Sequence, residues 1–212
     1  ARDVLAEADV CAGAECDVAG GEEPRAGRAG PGRIRLLDIA DRISLTPVRV
    51  AQSATIYNFD IELADVDRGV YESLVLRVAR HPSETADYLL TRVIAYCLEY
   101  SEGISFSKGL AEPDEPALTV RDLTGTLRLW VEVGAPDAER LHKASKASPR
   151  VAVYTHRDPA LLIRQLSGER IHRADSLELY AIDRPLLAAL AVRLERRTGF
   201  TLSVTDRQLY VQ

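Results

Sequence analysis

From residue 53 onward, apolar and polar positions fall into short bounded blocks, and the spacing inside each block selects an element. In 53–64, Ile56, Phe59, Ile61 and Leu63 partly alternate with polar residues, and 69–80 continues as a second strand. Asp65-Val66-Asp67-Arg68-Gly69 supplies turn chemistry between them, so the pair predicts an N-terminal β-hairpin. Pro82, Ser83 and Glu84 then give an extended residue, an N-cap and an acidic first turn. Leu89, Leu90, Val93, Ile94, Cys97 and Tyr100 follow at helical spacing, which predicts a helix over 84–99 capped by Ser83.

Downstream, the pattern predicts a short strand at 104–108, an acidic Pro-bounded loop at 112–116, and a hairpin of 118–122 with 126–133 that reverses at Thr124-Gly125. Gly134-Ala135-Pro136 ends that strand and opens a helix near Asp137. The block at 150–154 reads as a buried strand reached by a crossover, hence parallel to its neighbour. A helix at 159–166, a strand at 176–182, a helix at 184–196 and a terminal hairpin complete the order. The expectation is a mixed α/β fold with one central sheet flanked by helices.

Residues 1–50 lack this patterning. Ala, Gly, Arg and Glu dominate there, with a Gly/Pro-rich stretch at 20–32, and the whole chain has no Met. This separates an extension at 1–50 from one α/β domain at 51–212. Two readings of the extension stay open: a native start near Val50, or a real flexible segment.

The chain carries 27 basic against 32 acidic residues, net −5, and it stays acidic without 1–50. That balance argues against a strong electrostatic nucleic-acid binder. Arginines around Arg164, Arg170 and Arg173, or at Arg193, Arg196 and Arg197, are better read as solvated helix faces. No apolar run has the length of a membrane span, so a soluble cytoplasmic protein is expected. Cys97, on the apolar side of a helix, is expected as a buried free thiol; Cys11 and Cys16 lack zinc spacing. Glycine-rich phosphate loops and a nucleophile elbow are missing.

The three lysines stand out against twenty-four arginines, because Lys143 and Lys146 lie just after the acidic stretch that contains Asp122 and Glu132. Folding 118–133 into a hairpin is expected to bring those two carboxylates together. Without further information, a turn-capping Asp122 and a solvent-facing Glu132 would be the better reading. Against that, Glu132 lies among apolar Trp130, Val131 and Val133, where a chance charge is costly.

The strings ARHPSET at 79–85, DEP at 114–116 and LWVEVGAPDAERLHKA at 129–144, in this order, resemble the bacterial YaeQ family from about Ala51 to the C-terminus. The resemblance implies a PD-(D/E)XK nuclease-like core, in which a hairpin Asp, an acid two residues before a Lys, and often a Glu on the first helix hold metal and water. On that pattern Asp122 and Glu132 would be metal ligands for Mg²⁺ or Mn²⁺, and Glu84 and Lys143 catalytic groups. Asp114 and Glu115 are further candidate ligands, and His81 a candidate phosphate contact. The position that should carry the lysine is Gly134, so Lys143 would have to reach back from the following helix. The expected function is metal-dependent phosphodiester hydrolysis of nucleic acid. The alternative is a non-catalytic nucleic-acid- or protein-binding module on the same fold.

Overall fold

β1 (Thr55–Asp65) and β2 (Val70–Arg80) form the expected antiparallel hairpin, Thr55 lying opposite Arg80 and Asp65 opposite Val70. The Asp65 carboxylate closes its turn by accepting from the Arg68 backbone N–H at 3.0 Å and from Arg68 Nε at 2.6 Å. This is a computed structural model, and it describes residues 54–107 and 114–212. The expectations for 1–50, and the end of the expected 104–108 strand at Lys108, lie outside the described residues.

The strands divide between two sheets. β8 (Arg197–Thr205) returns parallel to β1, Asn58 opposite Arg197 and Asp65 opposite Val204, and β9 (Gln208–Val211) pairs antiparallel with β8. These four strands make a sheet of order β2-β1-β8-β9. The second sheet, order β3-β4-β5-β6-β7, contains β3 (Ile104–Phe106), β4 (Leu118–Arg121), β5 (Leu127–Val133), β6 (Arg150–Thr155) and β7 (Leu177–Ala181). Its β5, β6 and β7 are parallel, as the crossover argument required for β6. The N- and C-terminal hairpins thus build a sheet of their own instead of extending the central one.

α1 (Ala86–Leu98) is buried nearly all round, which marks a helix packed on more than one side. Its Leu89, Leu90, Val93 and Ile94 share one core with Phe59 and Ile61 of β1, Leu76 of β2, Val131 of β5 and Leu202 of β8. α4 (Arg184–Val192) adds Leu187 to that core. On the opposite side of the five-stranded sheet, Trp130, Val151 and Val153 pack with Leu141 and Ala144 of α2 (Ala138–Ala147) and Leu162 of α3 (Pro159–Leu166). Cys97 is a buried free thiol, as expected, and burial pushes its pKa up to about 12. Among the described residues no helix is long and apolar enough to cross a membrane.

The cap of α1 is Thr85, whose Oγ1 accepts from Tyr88 N at 3.1 Å, and not Ser83. Ser83 is instead drawn to His81, with Oγ 2.6 Å from Nδ1. Glu84 therefore precedes the helix, and Asp87 is the acid of its first turn.

Candidate active site at the C-terminal end of the parallel strands

Side-chain alternation along β5 decides where Glu132 points. Leu129, Val131 and Val133 face α1, while Trp130 faces α2 and α3, so Glu132 shares the Trp130 side. It is 3% exposed, and its Oε1 accepts from Trp130 Nε1 at 2.6 Å and from Arg140 Nε at 2.8 Å. Burial raises its carboxyl pKa, opposed by the hydrogen bonds from Arg140 and Trp130.

α2 delivers two cations to this end of the sheet. Asp137 caps it, its Oδ1 accepting from Arg140 N at 2.8 Å, and this sets the helix phase. Arg140 and Lys143, three residues apart, then lie on one face. Arg140 Nη2 donates to the Glu115 carbonyl at 2.6 Å, in addition to holding Glu132. Lys143 Nζ lies 2.6 Å from Asp114 Oδ1, a pair open to solvent, and its hydrogen bond and charge hold Asp114 below the ordinary carboxylate value. Three segments therefore meet here: the DEP loop, the end of β5 and the middle of α2. Lys143 does reach back from the helix, but its partner is Asp114. Lys146, in the last turn of α2, is exposed.

Asp122 does not belong to this group. The hairpin closes with Asp122 N donating to Thr126 O at 3.0 Å, and Arg121 pairs with Leu127. Glu132 lies five residues further along β5, about 17 Å at the usual rise per strand residue. Asp122 is instead the hub of the turn. Its Oδ1 accepts from the Thr124 and Thr126 backbone N–H groups, each at 3.0 Å, and its Oδ2 from Arg128 Nε at 2.7 Å. Hydrogen bonding, led by the Thr124 hydroxyl, lowers its pKa to about 2. The expectation that the reversal would join Asp122 to Glu132 fails because Asp122 sits at the tip, while the residue opposite Glu132 would be Ala117, given Leu118 opposite Val131.

Glu84 sits at the corner between β2 and α1, buried to 3%. Its Oε2 accepts from His81 N at 3.1 Å, and its Oε1 forms an ion pair with Arg92 Nη1 at 3.1 Å. Arg92, 1% exposed, also donates to Ala79 O at 2.6 Å and lies over the Phe106 ring. Burial raises the Glu84 pKa, partly offset by Arg92. The acid is thus closed by a buried cation. Tyr88 stands electrostatically between the two groups, feeling Arg92 and Glu84 on one side and Glu132 and Arg140 on the other.

Gly134, the position a strand lysine would occupy, has φ +95°, and a Cβ there would stand 3.7 Å from the Tyr88 ring. A lysine at this point would strain the backbone, because a side chain rarely adopts this positive φ; the ring itself lies at ordinary contact distance. Among the described residues no three His, Cys, Asp or Glu side chains converge closely enough to hold a metal ion. What the geometry offers is two carboxylates, Asp114 and Glu132, flanking two cations. Arg140 was not singled out in the sequence, although its position one turn before Lys143 on the same face was a usable signal.

The fold and the acidic end of β5 define an α/β protein of the kind the three motifs resembled, and the chain belongs to the YaeQ family: the family model described as YaeQ protein matches residues 50–212. YaeQ of Escherichia coli K12 is 29% identical over 163 residues, covering 76% of this chain and 90% of its own length. The crystal structure of YaeQ from Pseudomonas syringae matches with a TM-score of 0.68 at 32% identity, over 76% of this chain and 89% of that one. The YaeQ crystal structure from Xanthomonas axonopodis pv. citri matches with a TM-score of 0.68 at 30% identity, over 76% and 91%.

Proposed function

We propose that this chain is a metal-dependent phosphodiesterase acting on nucleic acid, with its site at the meeting of the DEP loop, the end of β5 and α2. The observation that carries the reading is the Lys143–Asp114 contact at 2.6 Å beside Glu132 and Arg140. It puts an ammonium group from the helix next to an exposed, ionised carboxylate, at the end of a strand that bears a second, oriented one. The nuclease-like pattern asks for those three groups together, and Gly134 explains why the lysine comes from the helix.

Mg²⁺ and Mn²⁺ are hard cations that are satisfied by one or two protein carboxylates plus water. Asp114 and Glu132 are the residues that would hold one; the donor set suits two carboxylates and not three. Such a cation supplies charge neutralisation for the phosphoryl oxygens and a more acidic water. Trp130 fixes the Glu132 carboxylate in one orientation. Lys143, once released from Asp114, is a compact cation for the charge that gathers on the phosphate. Glu84, in this reading, is a positioning residue that braces the corner carrying Tyr88. The reading places the protein in the cytoplasm, in keeping with the free, buried Cys97.

A second reading, a binding module without catalysis, is favoured by one observation: Glu84 and Glu132 are each already matched by an arginine of the chain. Calorimetric titration with Mn²⁺, paired with cleavage assays on single- and double-stranded DNA and RNA, separates the two. The enzyme reading expects metal binding that is lost in Glu132→Gln and weakened in Asp114→Asn, with cleavage abolished in Lys143→Ala at unchanged metal affinity. Wild-type protein that binds no metal and cleaves nothing establishes the binding module instead.

A further inference from the structure

The C-terminal ends of β6 and β7, next along the same edge from Glu132, carry chemistry the site above does not use. Val133 is paired with Tyr154 and Gly134 N donates to Tyr154 O at 2.9 Å, so the chain after β6 begins beside the candidate site. His156 is the first residue after β6, and its ring meets that of Tyr88 edge to face with centroids 6.2 Å apart. The buried His156 Nδ1 has no hydrogen-bond partner among the described residues.

Two clefts lie at or beside this histidine. One, of about 580 Å³, lies between the starts of α3 and α4 and is lined by Arg157, Arg184, Asp158 and Asp183; the other, of about 270 Å³, is lined by His156, Asp87 and Arg184. Both guanidinium groups are exposed, and among the described residues neither has an ion-pair partner. The acids nearby are weaker claimants: Asp158 caps α3 by accepting from Ala160 N at 2.9 Å, and Asp183 and Asp87 form no ion pair among the described residues. At His156, after burial, Arg157 and Arg184 both lower the pKa and only Asp87 raises it, so cations dominate the local field. Another cleft, of about 900 Å³, is also lined by arginines. There Arg150 is held by Glu99 and Glu178, and Arg68 by Asp65 and two carbonyls, so those cations are already satisfied.

We infer that Arg157, Arg184 and His156 form a phosphate-binding seat for the nucleic-acid backbone, next to the cleavage site on the same sheet edge. This rests on the phosphodiesterase reading for its ligand, and on the clefts and unpaired arginines for its place. Two guanidinium groups supply forked donors suited to phosphate oxygens, and the His156 ring lines the adjoining cleft. A strand held here would present an adjoining phosphodiester to Asp114, Glu132 and Lys143. Recognition would be of backbone and not of base, since the clefts are lined by charge and not by exposed aromatic rings.

The test is an NMR titration of the full chain, following the His156 ring nitrogens and the Arg157 and Arg184 Nε–H signals, first with inorganic phosphate and then with a short single-stranded oligonucleotide. Both probes are expected to shift all three residues in the wild type, and R157Q/R184Q, with an unchanged melting curve, to lose the His156 shift. Because each backbone contact on a single strand contributes about 0.7 to the salt slope of binding, the double variant should lower that slope by about 1.4. Arg164→Gln, on the solvent side of α3, should change neither probe's binding. Shifts that persist in the double variant, or phosphate shifts that bypass His156 in the wild type, overturn the seat. Binding of phosphate without the oligonucleotide overturns its assignment to nucleic acid. Failure of the cleavage reading is seen separately, because Glu132→Gln and Asp114→Asn leave the phosphate shifts intact while deciding whether metal-dependent cleavage exists.

Discussion

The two ends of the β4–β5 hairpin each hold a carboxylate in a web of donors, yet they are different kinds of place. At the tip, Asp122 is bonded by Thr124, Thr126 and Arg128, all within six residues of it. At the base, Glu132 is bonded by Trp130 of its own strand and by Arg140 of the next helix, and Arg140 goes on to the DEP loop. A web made from sequence neighbours shapes a turn. A web made from separate segments brings together groups that the chain keeps apart, and that is the condition for a site. Acidic residues ten apart in a hairpin look equivalent on paper; their partners tell them apart.

Stability sharpens the contrast most. Glu132→Ala strips a buried carboxylate from Arg140 and Trp130, and leaving such donors unpaired should cost about 1–3 kcal/mol in urea unfolding. Asp122→Ala, at an exposed turn, should move the unfolding midpoint distinctly less. Equal losses would mean that the two ends are not different in kind.

A smaller effect is expected at the residue after β5. Gly134→Lys recreates the lysine of the nuclease pattern on the strand but forces a side chain onto a left-handed backbone, which should cost about 1–2 kcal/mol. It should not restore cleavage to Lys143→Ala. Rescue of that variant would show that the position, and not the helix, owns the cation.

The least effect concerns acid. The folded pKa of Asp122, about 2, lies below its ordinary 3.8, so its stabilisation is present above 3.8 and is lost as the pH falls towards 2. The stability difference between wild type and Asp122→Asn should therefore shrink across that window. A carboxyl ¹³C titration with its midpoint at the ordinary value would show that the turn web is not holding the charge.

Much of the fold was legible because its signals are local. Alternation gave β1 and β2, helical spacing gave α1, and the helix expected at 159–166 has the bounds of α3. The sheet partners were not legible, because β8 meets β1 across some 140 positions and nothing in either strand names the other. The α1 cap was missed because Ser83 and Thr85 are both able to cap, and the choice was made by His81 taking the serine. At the site, Glu132 stood out by its apolar neighbours. Asp122 was misplaced by counting proximity in sequence and not strand register: equal steps out from the middle of the Thr124-Gly125 reversal put Glu132 opposite Ala117, beside the DEP loop. That count was available from the sequence. The reach of Lys143 to Asp114 in particular, and the closure of Glu84 by Arg92, depend on side-chain contacts between segments and were not.

The differing burial of α1 and α2 has a kinetic consequence. With protein on nearly every side, α1 has amides that should exchange with deuterium only when the whole domain opens. α2 has one face in water and only Leu141, Ala144 and Ser145 buried, so it is able to open and close as a small unit at far lower free energy. Arg140 and Lys143 ride on that looser layer. The cations that clasp Asp114 and Glu132 are therefore carried by a part of the molecule able to let go of them while the core stays folded.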